Sequence, residues 1–221
     1  CNRRRRGLAA SWGHCQNVYL MTIGILAYGS LIPNPGEELE AMTVRRITGV
    51  ETPFRVEFSR SSRVRDGAPT LVPVETGGSK VSGVVLVLRE SVSETAAQDM
   101  LYRRERNRVG SDDAYTELDE ANIDSAFLAC LHHFAGLCMV FHAAFRANIE
   151  KPLPKMLARL AIASAATPSG GSARDGISYL SAAKQSGIVT PLMAGYEREV
   201  LLQTGGSDLE EALAFVRRKL R

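Results

Sequence analysis

Hydrophobic periodicity changes partway along this 221-residue chain, and the change restricts the folds open to it. Up to Leu88 the apolar residues alternate or run in short blocks, as strands do; beyond Ser93 most recur at helical spacing. Strands first and helices last predict an α+β fold with a mixed or antiparallel sheet. The same order argues against a repeated βαβ winding.

Ile23 to Tyr28 reads as a short buried strand that Gly29 and Ser30 break, and Pro33-Asn34-Pro35-Gly36 keeps regular structure from resuming. Further strands are expected at Met42–Gly49, at Phe54–Phe58 with alternate apolar side chains, at Thr70–Val74 and at Val81–Leu88, the most hydrophobic and so the central one. Arg60, Arg63 and Arg65 fall in a polar loop between the second and third of these. Leu137–Phe145 is ambiguous but fits another strand.

Ser93 caps a predicted helix that runs to about Arg106, with Glu94 in its first turn. Later helices are expected over Pro152–Ala166, from Ser172 or Asp175 to about Lys184, and over Leu209–Leu220 behind Ser207 or Asp208. Thr190, Pro191 and Tyr196 read as loop punctuation.

Composition excludes some functions. The chain is 45% hydrophobic, enough for a core, and no run of about 18 apolar residues predicts a membrane span. The formal charge of +3 comes from Arg3 to Arg6; without them 23 basic residues face 24 acidic ones. That is no nucleic-acid footprint on the folded part. Residues 1–20 carry no acidic residue and no periodic pattern before Val18. They are read as a leader ahead of a single domain over residues 21–221, whose start Met21 would supply; an organelle-targeting segment is the other reading. Cys1, Cys15, Cys130 and Cys138 are too few for a disulfide scaffold, which predicts a reducing, cytoplasmic setting.

Glu105 is the most informative single residue. Ala97, Leu101 and Glu105 are spaced i, i+4, i+8, so the carboxylate shares the apolar face of its helix. Carboxylates seldom lie on such a stripe without a role. Either Glu105 looks into a cleft, or it ends the helix in an ion pair with a neighbouring arginine. The turn at Tyr28-Gly29-Ser30-Leu31 likewise either exposes amide N–H groups to an anion or ends a strand around a packed tyrosine. Ser30 lacks the flanking pattern of a hydrolase nucleophile. Cys130, His132, His133, Cys138 and His142 match no zinc spacing, and a strand would hold Cys138 and His142 about 13 Å apart. No metal is expected there.

Ile25-Leu26-Ala27-Tyr28-Gly29-Ser30-Leu31, a glycine-bearing strand at Gly83-Val84-Val85 and a helix ending Leu101-Tyr102-Arg103-Arg104-Glu105 together resemble the gamma-glutamylcyclotransferase-like superfamily. The Arg104-Glu105 pair is similar to that of its glutathione-degrading branch, and Tyr115 resembles a tyrosine that often follows the glutamate. The resemblance covers residues 23–115. It implies a mixed or antiparallel β-barrel with packed helices, to which residues 145–221 would add a helical extension.

For function the resemblance implies release of 5-oxoproline from a γ-glutamyl amine or peptide, a small-molecule substrate, without cofactor or metal. Glu105 would move the protons, while Tyr28, Gly29, Ser30, Leu31 and Tyr115 would bind substrate. In the arginine loop, Arg63 would meet the substrate carboxylate, since arginine's planar fork suits it. An amide hydrolase, or a non-catalytic binding module for a small molecule or a protein, would fit the same letters.

Overall fold

The computed structural model describes residues 22–116, 126–167 and 174–219. Strand β1 (Ile23–Tyr28) is followed by a single 3-10 turn, Gly29–Leu31. Then come helix α1 (Glu37–Met42) and strands β2 (Thr43–Glu51), β3 (Arg55–Ser62), β4 (Ala68–Val74) and β5 (Ser82–Leu88). Helix α2 (Glu94–Glu105) leads to strands β6 (Phe127–His132) and β7 (Met139–Ala144). Among the described residues the helices α3 (Pro154–Ala165), α4 (Gly176–Gln185), α5 (Met193–Thr204) and α6 (Leu209–Arg218) follow.

The mixed α+β character expected from the sequence is present, but the barrel is not. Five strands form one open sheet in the order β2-β5-β1-β7-β6, and β3 with β4 form a separate two-stranded sheet. Within the larger sheet β1 pairs antiparallel with β5 and parallel with β7. Closure fails at a definite place. The chain leaves β2 at Thr52-Pro53, and proline has no N–H to continue a ladder. Beyond it β3 pairs with β4 instead, and only an isolated bridge, Val56 to Ser79, links it toward β5. The chain after β7 reaches β3 locally, where the amides of Asn148 and Ile149 both donate to the Ser59 carbonyl at 3.0 Å. That contact builds no ladder, so among the described residues β2 and β6 stay edges.

The second sheet is diverted because it has its own cover. Residues 56–60 of β3 are all buried, where alternation had predicted one buried face. Phe58 of β3 packs with Leu157 of α3, Leu180 of α4 and Tyr196 of α5, so the C-terminal helices share a core with β3 and β4. Burying a side chain of this size is worth about 1.5–3 kcal/mol. The faces of the five-stranded sheet carry two further clusters: Ile25, Leu86 and Phe141 under Ala97 and Leu101 of α2, and Leu26, Val85 and Val140 under Leu137.

Local signals set the helix starts. The hydroxyl of Ser93 accepts the Ala96 amide, and the carboxylates of Asp175 and Asp208 accept those of Ser178 and Glu211, the latter two at 2.8 Å. Asp208 is therefore the cap of α6, not Ser207. Sequence reading passes over α1, β6 and α5. For α5 a signal was there: Met193, Tyr196 and Val200 are buried at helical spacing in the stretch read as loop.

Candidate active site at the end of the first strand

Two elements from distant parts of the chain meet here, the C-terminal end of β1 and that of α2. Gly29 has φ +59, a left-handed conformation that glycine adopts without strain, and the chain turns sharply there. Tyr28 donates its hydroxyl to the Ala143 carbonyl at 3.2 Å and packs edge-on against Phe54. Leu31 is buried and Ser30 exposed. Among the described residues, the amides of Gly29, Ser30 and Leu31 donate no hydrogen bond outside their own element.

The arginines beside Glu105 fasten this turn to α2. Arg104 donates from Nε and Nη2 to the Asn34 carbonyl at 2.9 and 2.6 Å. Arg103 pairs with Glu38 and also donates to the Asp113 carbonyl at 2.9 Å. Gly36, at φ +87, lets Arg104 pass, because a Cβ there would stand 2.9 Å from its Cδ. Glu38 is held below the usual carboxylate range, mainly by its hydrogen bonds from Arg103. Arg104 thus engages the loop that follows the turn and Arg103 the helix α1 beyond it, and neither forms an ion pair with Glu105.

Glu105 is the last residue of α2. Burial pushes its carboxyl above the ordinary value, and the opposing charges of Arg104 and Arg65 do not cancel that effect. The negative end of the helix dipole disfavours the ionised form further. Its charge is felt by two phenols. Tyr28 is raised by burial first and then by Glu105 and Tyr179; Tyr179 of α4 is raised by burial, with Glu105 adding to the shift and Arg65 opposing it.

Of the arginine loop, Arg65 is the cation whose charge reaches Glu105, where the sequence had pointed to Arg63. Both belong to the 3-10 turn Arg63–Arg65, where Arg63 is exposed and Arg65 half-buried. The Arg65 guanidinium lies 4.9 Å from the centre of the Tyr179 ring, a stacked arrangement that fixes it. Tyr115 is placed elsewhere too. Its amide donates to Asp99 at 2.7 Å, its hydroxyl accepts the Leu128 amide at 3.2 Å, and its ring meets Tyr102. These partners belong to α2 and β6, and none to the turn.

Sequence reasoning missed Tyr179 and Ile188. A Cβ placed on Gly29 would lie 3.5 Å from Cδ1 of Ile188, so the chain just beyond α4 covers the turn. Tyr179 flanks the apolar stripe of Ile177, Leu180 and Ala183, and only that neighbourhood hinted at it.

Cys130 and Cys138 are partly buried and in no disulfide, His132 and His133 are exposed, and His142 is buried. Among the described residues no group of three or more His, Cys, Asp or Glu is gathered to hold a metal ion. Among them, too, no helix is long and apolar enough to cross a membrane. The leader over residues 1–20 and the candidate cap Ser172 lie outside the described residues. Compared with family models and with curated proteins, the chain finds no match.

Proposed function

We propose that this chain catalyses intramolecular acyl transfer on a γ-glutamyl amine or peptide, releasing 5-oxoproline and the free amine. The observation that carries the reading is the half-buried Glu105 carboxyl at the end of α2, which burial pushes above its ordinary value and which lies within electrostatic reach of Arg104, Arg65 and Tyr28. The open sheet departs from the barrel that the resemblance implied, so the reading rests on the site and on the Tyr28–Leu31 and Arg104-Glu105 motifs.

The chemistry needs no nucleophile from the protein. The substrate's α-amine attacks its own γ-carbonyl carbon, a C–N bond forms, and the original amide C–N bond breaks. Glu105 takes a proton from the attacking nitrogen and returns one to the departing nitrogen. A carboxyl with a raised pKa suits both steps near neutral pH. Holding the glutamyl chain in its cyclising pose supplies much of the rate. Arg65 is the group offered to the substrate carboxylate, and the turn amides are donors to an anionic oxygen. The cysteine usage makes a cytoplasmic setting part of this proposal.

The test is incubation of the purified protein with a panel of γ-glutamyl amides and dipeptides, with 5-oxoproline and free glutamate both measured. Release of 5-oxoproline, lost in Glu105→Gln with folding intact, is the expected result. Free glutamate instead would replace cyclisation by hydrolysis, and no turnover on any member would leave a binding module.

A further inference from the structure

We propose that Tyr179, from the C-terminal helical region, is the hydrogen-bond donor to the γ-carbonyl oxygen of the substrate; this rests on the cyclotransferase reading above. The two half-buried phenols that feel Glu105 are committed differently. The hydroxyl proton of Tyr28 is used on the Ala143 carbonyl. Tyr179 is the reverse case. Its oxygen accepts the Leu71 amide at 3.3 Å, and among the described residues the phenol donates to no acceptor. A hydroxyl carries one proton and two lone pairs. With a lone pair occupied by a backbone amide, the proton of Tyr179 is left to point elsewhere.

The ring is fixed before any substrate arrives. The Arg65 guanidinium lies 4.9 Å from its centre, and Phe58 meets it nearly perpendicular at 6.3 Å between ring centres. The chain just beyond the same helix brings Ile188 against Gly29. Donor, cation and turn are therefore held in one packed unit, and a preorganised donor of this kind needs no reorganisation during reaction. No hydrogen bond joins Tyr179 to Glu105 in the described structure. In the proposal the reacting carbonyl lies between them, with the base on its amine side and the phenol on its oxygen. As the amine adds, the carbonyl oxygen gains negative charge and the Tyr179 O–H bond is polarised toward it. The proton stays on tyrosine, and charge returns to the carbonyl when the amide C–N bond breaks. Burial keeps the phenol protonated, as a donor must be.

The experiment compares the full chain with Tyr179→Phe, and with the same chain carrying 2,3-difluorotyrosine at position 179, on the best γ-glutamyl substrate of the panel. Tyr179→Phe should lower kcat about 100-fold, the usual cost of one such donor, with KM within about threefold. The fluorinated residue has a more acidic phenol and keeps its shape, so activity should persist while the alkaline limb of the kcat profile moves to lower pH. A merely structural tyrosine would not move that limb, and the fluorinated chain keeps the test open if Tyr179→Phe does not fold. Unchanged kcat in Tyr179→Phe, or an unmoved alkaline limb, overturns the assignment of Tyr179 alone. No 5-oxoproline from the unmodified protein overturns the cyclotransferase reading and this proposal with it.

Discussion

Thr190 donates its hydroxyl to the Glu57 carboxylate at 2.6 Å, joining β3 to the chain ahead of α5 across 133 residues of sequence. The same carboxylate accepts the amides of Phe58 at 2.9 Å and Leu192 at 3.2 Å. Glu57 is 4% exposed, and it sits where a helix N-terminus favours negative charge. It is how the C-terminal helices are fastened to the second sheet.

Glu57→Ala should therefore strand these three donors and cost about 2–4 kcal/mol. Glu57→Gln, which keeps an acceptor oxygen, should cost less than half of that. Urea unfolding of both variants checks the order; equal losses would show that the charge and not the acceptor geometry matters.

Glu105→Gln should abolish 5-oxoproline release, by roughly 100-fold or more. Its stability effect has a sign set by burial. The folded-state pKa lies above the ordinary 4.5, so the native protein holds the proton more tightly than the unfolded chain. The contribution of this group is fully present below pH 4.5 and is lost as pH rises through the folded pKa. The glutamine variant should thus gain melting temperature relative to the parent at pH 7.5 and show little difference at pH 4. A variant less stable at pH 7.5 would mean that the charged form has a partner.

Gly29→Ala tests the turn. The new Cβ has room, at 3.5 Å from Ile188, but φ +59 is strained for an L side chain, at about 1–2 kcal/mol. Loss of stability in that range, with a larger proportional loss of kcat/KM than in Tm-matched surface variants, is expected. Full activity in Gly29→Ala would remove the turn amides from the site.

His142 gives the protein an acid limit. The side chain is 5% exposed, is stacked on Phe54 at 4.5 Å, and its Nδ1 has no hydrogen-bond partner among the described residues. Burial lowers its pKa below 6.5. The unfolded chain then binds more protons as pH falls below 6.5, so stability is complete above that pH and declines beneath it. Denaturant unfolding at pH 7.5 and 5.0 should show the decline, and His142→Leu should flatten it. An identical slope in the leucine variant would place the acid limit on the carboxylates.

Much of the candidate site lies in short-range patterns. The β1 strand, the glycine break at 29, the Ser93 cap and Glu105 behind Ala97 and Leu101 are each fixed by residues within a turn or two, so their spacing alone exposes them. Arg65 could not be chosen over Arg63 in that way. Both lie in one short turn, and what distinguishes them is a ring 114 positions downstream, Tyr179. Tyr115 fails for the same reason in reverse, since Tyr102 and Leu128 hold it and no local letter says so.

By itself, then, the order of residues determined which segments become strands and helices in most of the chain, and that an acidic group would share an apolar helix face. Folding in three dimensions decided whether the sheet closes, which cation and which phenol join Glu105, and that Glu57 is buried at a helix start. Backbone propensity and side-chain period act over a few residues, whereas strand pairing and desolvation depend on which distant surfaces become neighbours. Pro53 and the apolar cover over Phe58 turned β3 away from β2, and no short window of sequence contains both.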